Sequence, residues 1–397
     1  MSGLTNKLSN QQFTYLKMSE PNICIISFSN LTIDARVNRQ IKAVVNRGNV
    51  TVLAFGKSPI NEIASINIES RKTILSKIKF VLYLFLRLYD KFYWSQSIIK
   101  ESIAKLNGHD FDIFIANDLD TLPLAIHLAK VSKSKVFFDA HEYAPLEFEN
   151  RWLWKYIHQP FREYICNKYL REVDIMTTVC DGIASKYQQE YQIFPKVIIN
   201  VPSYQDIPYN PVSNPHKIKL IHHGSASPDR QMERMIEMIP YLESRFEVHF
   251  MLVGNPQYVR KLQVLAENIT PGRAIFHESV SIETICSILS EYDIGFYLLP
   301  PVGFNYIHSM PNKLFDFIMS GLCVAIAPSI EMQKVVQNYK CGIVAPDFEP
   351  KSLAAVINGL SVEEINEKKL ASLEAAKILN AEIECKKIEN IIEVLLK

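Results

Sequence analysis

The sequence predicts an α/β protein built from two doubly wound, Rossmann-like domains that face each other across a cleft. Three observations predict it. Unbroken apolar runs of strand length alternate with segments of helical periodicity, the pattern of parallel strands covered on both faces. The rhythm is interrupted once, by the Pro-containing stretch Val201 to Pro215, and then begins again. The 397 residues suffice for two or three domains, and 48% hydrophobic against 21% charged residues is the balance of a packed globular chain.

In the first half, Asn22 to Phe28 reads as a buried strand, Val37 to Asn46 as a helix, and Val50 to Phe55 and Ile113 to Ala116 as strands. Leu122 to Val131 reads as a helix and Lys135 to Asp139 as a strand; Ile175 to Val179 and Lys196 to Asn200 extend the series. The second half restarts with the strand Lys217 to His223, the amphipathic helix Met232 to Leu242, and the strand Val248 to Val253 ending in Gly254. The helix Val259 to Glu267, strands Ala274 to His277 and Ile294 to Leu298, helix Lys313 to Ser320 and strand Cys323 to Ala327 follow. Ile365 to Lys397 reads as helical. The expected division is residues 1–205, residues 206–375, and a C-terminal helical segment, residues 376–397, packing back on the first domain. Ligands of such sheets bind beyond the C-terminal strand ends, which would line the cleft.

Charge and cysteine usage narrow the function. With 43 Lys+Arg against 42 Asp+Glu the net charge is +1, so nothing marks nucleic acid as a partner. The seven cysteines form no C-x-x-C pair and several sit in apolar runs, which points to reduced thiols and a cytoplasmic setting. The N-terminus is polar from Ser2 to Gln12 and no stretch reaches eighteen apolar residues, so neither a signal peptide nor a membrane span is expected. Phosphate-loop, zinc-ligand and G-x-S-x-G patterns do not occur. Segment 71–105 is basic, through Arg71, Lys72, Lys77, Lys79, Arg87, Lys91, Lys100 and Lys105, and interleaved with Phe80, Tyr83, Phe85, Tyr89, Phe92, Tyr93 and Trp94. Two readings stay open for it: docking on an anionic membrane surface, or a core helix with a solvated basic rim.

The most informative stretch is Ser309-Met310-Pro311-Asn312-Lys313-Leu314-Phe315-Asp316-Phe317. Ser309 suits a cap and Pro311 a first turn, so Lys313 falls at a helix start, where the macrodipole disfavours a cation unless an anion is bound. Arg230 is expected to repeat this at the helix after Gly224-Ser225-Ala226-Ser227-Pro228. Two such cations suggest a site for a multiply charged phosphate. Asp316 is either an ion-pair partner for Lys313 or an acceptor for ligand hydroxyls. Asp139-Ala140-His141-Glu142 follows a strand at the cleft edge, where His141 would orient a hydroxyl and Glu142 fix its tautomer or touch the ligand. Asp118-Leu119-Asp120 reads as a helix cap or ligand contact rather than a metal site.

In this order the motifs resemble the retaining glycosyltransferases of the GT-B fold, family 4-like, of the type found in bacterial polysaccharide assembly. The resemblance rests on Asp34-Ala35-Arg36-Val37-Asn38-Arg39-Gln40, Asp118-Leu119-Asp120-Thr121-Leu122-Pro123, Asp139-Ala140-His141-Glu142, His223-Gly224 with Arg230, Gly254, Tyr292-Asp293-Ile294-Gly295 and Pro311 to Phe317, and spans Asn22 to Leu360. It implies a nucleotide-sugar donor in the second domain and a saccharide or lipid-linked acceptor in the first, with no cofactor and no metal, at the inner face of the cytoplasmic membrane in capsule or lipopolysaccharide synthesis. By motif, Arg230 and Lys313 would bind the diphosphate, Asp316 the ribose and His141 the transferred sugar. Gly224, Gly254, Ser309, Met310, Pro311 and Asn312 would complete the donor site, and the loop His277 to Val280 would hold the base. Asp118, Asp139, His141 and Glu142 would face the acceptor. Two positions depart from the family. Ser29-Asn30-Leu31 replaces a common Gly-Gly turn, and His308 replaces the first of two glutamates eight residues apart. A sugar-nucleotide epimerase of the same fold and a catalytically silent scaffold subunit are the competing readings.

Overall fold

The computed structural model describes residues 20–60, 63–69 and 74–397, the side chains of 74–78 excepted. The polar N-terminal stretch, Arg71, Lys72 and the side chain of Lys77 therefore lie outside the described residues. A first sheet of seven strands contains β1 (Asn22–Asn30), β2 (Asn49–Phe55), β3 (Ala64–Asn67), β4 (Ile113–Asn117), β5 (Lys135–Ala140), β6 (Ile175–Thr178) and β7 (Lys196–Val197), ordered β3-β2-β1-β4-β5-β6-β7. A second sheet of six contains β8 (Ile218–Ala226), β9 (Phe246–Gly254), β10 (Ala274–His277), β11 (Ile294–Tyr297), β12 (Cys323–Ile326) and β13 (Gly342–Val344), ordered β10-β9-β8-β11-β12-β13. The strands pair in parallel. In each sheet the winding reverses beside the first strand, between β1 and β4 and between β8 and β11. Those switch points open crevices at the strand C-termini, and the two crevices face one another.

Several elements depart from the pattern read along the sequence. Met232 to Leu242 is not one helix: a short helix, Glu233–Glu237, gives way to a tight turn at Ile239–Tyr241. Pro240 has no N–H to continue the ladder. The strand expected over Lys196 to Asn200 stops at Val197, and the carbonyl of Ile198 is taken by the Arg36 guanidinium instead. Segment 71–105 divides into helices Ile74–Phe85, Tyr89–Ser95 and Ser97–Leu106. Tyr89, Tyr93, Ile99 and Leu106 join the first-domain core, whereas Val81, Leu82, Phe85 and Leu86 are each more than half exposed. The later two helices thus match the core reading, and the first presents an apolar face to solvent.

The C-terminal segment is two helices, Val362–Ala376 and Ala381–Leu395. Asn380 starts the second, its side chain accepting from the Ile383 N–H in place of a missing helical partner. The first helix packs on helix Asn312–Met319 of the second domain, and the second lies on helix Ala35–Val44 of the first. There Ile388, Ile391, Ile392 and Leu395 close a cluster with Ile23, Val37 and Ile41. The helix that carries Lys313 is held close to β11 because Gly295 has no side chain, since a Cβ there would lie 2.3 Å from the Phe317 ring.

Because Ile392 is fully buried in that cluster, Ile392→Ala is expected to destabilise the fold by about 2–5 kcal/mol. Denaturant titration checks this, and a change within about 0.5 kcal/mol, the range of ordinary surface substitutions, would show that the returning helix is a loose appendage.

Candidate active site

Between the sheets lies a cleft of about 680 Å³, within the range of pockets that hold small ligands. One wall comes from the ends of β1 and β5, with Ser29, Asn30, His141 and Glu142; the other comes from the end of β8, with His223, Gly224 and Ser225, and from Arg230 and the run Ser309 to Lys313. The walls are tied together around the rim. Tyr143 N–H donates to Asn305 Oδ1 at 2.8 Å, Asn305 Nδ2 donates back to the Tyr143 carbonyl at 3.1 Å, Glu149 accepts from the Phe304 N–H, and Arg151 pairs with Asp229.

Lys313 dominates the second-domain wall. It is the second residue of helix Asn312–Met319, and its side chain is buried rather than solvated. Nζ donates to Nε2 of His222 at 3.1 Å and sits 4.2 Å from the Tyr297 ring centroid. The tautomer of His222 follows from its other nitrogen. Nδ1 lies 2.9 Å from the Phe296 carbonyl and must donate to it, which leaves Nε2 as a lone-pair acceptor for Lys313. Burial holds the Lys313 ammonium well below its usual pKa; the Arg230 charge lowers it further and Asp316 opposes them. Burial and the Lys313 charge likewise hold His222 neutral. Among the described residues no carboxylate forms an ion pair with Lys313, so the cation faces the cleft unneutralised. Arg230 lines the same cleft, with Nη1 anchored on the Ser225 carbonyl at 3.2 Å.

Asp316 stands one turn beyond Lys313, 3.5 Å from Nε2 of His223. Burial pushes its carboxyl up to about 7, against the pull of Arg39 and Lys313. Arg39 belongs to the first domain and is itself largely buried, with Nη2 unpartnered. It therefore reaches Asp316 electrostatically from the opposite wall. Burial and Lys313 hold His223 near 3, so this histidine is neutral and its buried Nε2 has no hydrogen-bond partner.

On the first-domain wall His141 is pinned by three groups. Nδ1 lies 3.3 Å from Asp118 Oδ1, and Nε2 lies 3.4 Å from Asn117 Oδ1 and 3.6 Å from Asp139 Oδ2. Burial opposes its charge, but Asp118 and Asp139 outweigh that and raise its pKa. His141 and Glu142 also border a side pocket of about 210 Å³ formed with Asp118, Asp120, Glu147 and Arg162.

The structure brings His141, Glu142, Gly224, Arg230, Ser309, Met310, Pro311, Asn312, Lys313 and Asp316 together on the one cleft, and sets Asp118 in the adjoining pocket. Five details differ from the sequence reading. Asp139 is buried beneath the wall, where Arg36, Gln40 and Thr177 consume its oxygens, so no lone pair faces an acceptor. Gly254 lies away from the cleft, and its role is packing: a Cβ there would approach the Ala226 carbonyl oxygen to 2.6 Å. Val280 is exposed on its loop and does not line the cleft. Ser309 caps nothing, since Pro311 is the cap residue and no side chain closes that end. Arg230 closes a tight turn, Pro228–Arg230, and precedes the helix instead of starting it. His222, Tyr297 and Arg39 were missed. His222 is apolar-strand sequence to a pattern reading, and only the fold carries Arg39 across the cleft.

Comparison with known proteins adds to this geometry. Residues 217–362 match the sequence profile of glycosyl transferases group 1. The fold resembles that of Anabaena HepE solved with UDP and glucose (TM-score 0.68, 12% identity, 95% of this chain and 99% of that one). It also resembles sucrose-phosphate synthase of Thermosynechococcus elongatus (0.72, 12%, 95% and 99%) and WaaG, a glycosyltransferase involved in lipopolysaccharide biosynthesis (0.65, 12%, 93% and 99%). The profile match falls on the second domain, and the fold is GT-B. No curated relative matches the sequence. The GT-B frame explains why the site straddles two sheets, each contributing its switch-point edge.

The raised carboxyl of Asp316 gives this GT-B cleft a pH signature. Folded Asp316 keeps its proton to about pH 7, whereas the unfolded residue loses it near pH 3.9, so between those values the folded state binds more protons and stability falls as pH rises. Asp316→Asn removes that loss. Its melting temperature is expected to gain on the parent's progressively from pH 4 to pH 8 in ligand-free protein; a constant difference across the range would contradict the assignment.

Proposed function

We propose that the chain is a retaining glycosyltransferase that moves a sugar from a nucleoside-diphosphate sugar on the second domain to a saccharide or lipid-linked acceptor on the first, in cell-surface polysaccharide synthesis. The observation that carries this reading is Lys313: a buried, unneutralised ammonium beside Arg230 on the floor of a cleft. Such a pair costs stability in the empty protein and is satisfied by a polyanion. Relatives in fold support the donor class, since HepE was solved with UDP-glucose.

The same cations serve the reaction. As the glycosidic bond to phosphate loosens, negative charge grows on the diphosphate, where Arg230, Lys313 and the free N–H groups of helix Asn312–Met319 are already aimed. The leaving phosphate takes the acceptor hydroxyl's proton on the face it departs from, so configuration is retained and no protein base is required. His141, pinned from three sides, contacts the transferred sugar opposite. Asp316 accepts from a ribose hydroxyl. Asp118 and Glu142 meet the acceptor in the side pocket. The fixed cations do the work a divalent metal does elsewhere, and no cofactor enters.

A lipid-linked acceptor has to be met at a membrane surface. Among the described residues no helix is long and apolar enough to cross a membrane. Helix Ile74–Phe85 instead turns Val81, Leu82 and Phe85 outward next to Lys79 and Arg87, an arrangement suited to insertion at headgroup level beside anionic lipid. Trp152, Leu153 and Tyr156 on helix Trp152–Ile157 are exposed too, a second apolar contact.

Three outcomes test this. Replacing Arg230 or Lys313 by Ala is expected to cost about 2–4 kcal/mol in transfer rate, with stabilisation by nucleoside diphosphate reduced and the fold intact. Parental rates in both would show that the diphosphate is held elsewhere. Transfer is expected to survive EDTA, and full loss restored by manganese would show that a metal carries the diphosphate. Co-sedimentation with anionic vesicles is expected to weaken with salt and in Phe85→Glu and Lys79→Glu; binding unmoved by either would place the acceptor elsewhere.

A further inference from the structure

Outside the diphosphate site, one buried carboxylate of the second domain has no part in the chemistry above. Glu331 is 1% exposed, yet it is fully partnered. Oε1 accepts from His308 Nδ1 at 3.0 Å and from the Gly182 N–H at 3.1 Å, and Oε2 accepts from Lys334 Nζ at 3.0 Å. Two of these donors come from opposite domains. Gly182 is the second residue of helix Asp181–Tyr191 in the first domain, where the helix itself leaves the N–H free. His308 ends the short helix before the Lys313 loop and lines the cleft.

The contact is also close. A Cβ on Gly182 would lie 1.9 Å from His308 Nδ1 and 2.5 Å from Glu331 Oε1, so only glycine lets the first domain reach the pair. The His308 ring lies 4.5 Å, centroid to centroid, from Phe304, and its backbone carbonyl accepts from the Cys180 thiol at 3.2 Å. The ring is thus fixed from several sides. With Nδ1–H given to Glu331, Nε2 is the ring's remaining polar atom, and it has no partner among the described residues.

We propose that Glu331 is a positioning residue for donor recognition: it clamps His308 so that Nε2 hydrogen-bonds a hydroxyl of the transferred sugar, and the clamp is complete only while Gly182 is docked. The sugar read in this way is a neutral, hydroxylated one, and the reading is coupled to domain closure. The inference rests on the donor site of the proposed function.

The test compares a bare nucleotide with its sugar conjugate. Calorimetric Kd values for UDP, UDP-glucose, GDP and GDP-mannose are measured with the full chain and with His308→Asn, which keeps a group near Nδ1 but loses Nε2, and with Glu331→Gln and Gly182→Ala. For whichever nucleotide binds the parent, all three variants are expected to weaken the sugar conjugate at least fivefold relative to the bare nucleotide, whose own Kd stays within twofold. Equal weakening of both, or an unchanged ratio in His308→Asn and Gly182→Ala at parental melting temperature, overturns the clamp and leaves the donor site standing. Failure of every nucleotide to bind the parent overturns the donor site and the clamp together.

Discussion

A lysine ammonium held under the cleft floor, with a neutral histidine and a tyrosine ring for neighbours and no carboxylate to pair with, is the constraint around which this protein is arranged. Lys313 sits there because helix Asn312–Met319 is pressed onto β11 at Gly295, and because His222, locked by the Phe296 carbonyl, offers it a lone pair instead of a charge. An acid at position 222 would stabilise the empty protein and cancel the field that a diphosphate feels. The neutral acceptor orients the cation without neutralising it, which is the arrangement required when the compensating charge is to come from a substrate.

The second domain alone supplies that field, but the first domain modulates it. Arg39 acts on Asp316 from across the cleft, Arg36 ties down Asp139 so that His141 keeps its place, and the returning C-terminal helix packs behind helix Ala35–Val44, which carries both arginines. Closure of the cleft therefore changes the electrostatics as well as the shape of the site. Contacts at the rim, between Tyr143 and Asn305 and between Arg151 and Asp229, are polar, and an aromatic contact of Tyr143 on Phe304 lies beside them.

The parallel sheets were legible because buried strands such as Ile113–Asn117 and Cys323–Ile326 are apolar throughout, whereas of the edge strands β10 and the start of β7 were read but β3 and β13 were not, being short and only partly buried. Lys313 was legible as an anomaly of local charge at a helix start. Arg230 was found by a wrong local argument: it sits in a tight turn, but the turn still delivers it to the cleft. Asp139 shows the opposite failure. Its motif neighbours His141 and Glu142 face the cleft from beyond the end of β5, yet its own carboxylate is buried beneath them, where it meets Arg36. His222, Arg39 and the Gly182–Glu331 contact depend on residues brought together only by the tertiary fold, for which no local pattern exists.

If Lys313 is the receptor for the diphosphate, the bound polyanion must favour the ammonium that burial disfavours, so binding raises the pKa of Lys313 and is linked to proton uptake. Calorimetry of nucleoside diphosphate binding in buffers of different ionisation enthalpy, between pH 7 and pH 9, measures this directly. The account predicts net proton uptake in the parent and its loss in Lys313→Met. Binding of normal affinity with no proton uptake, or uptake that persists in Lys313→Met, would contradict it.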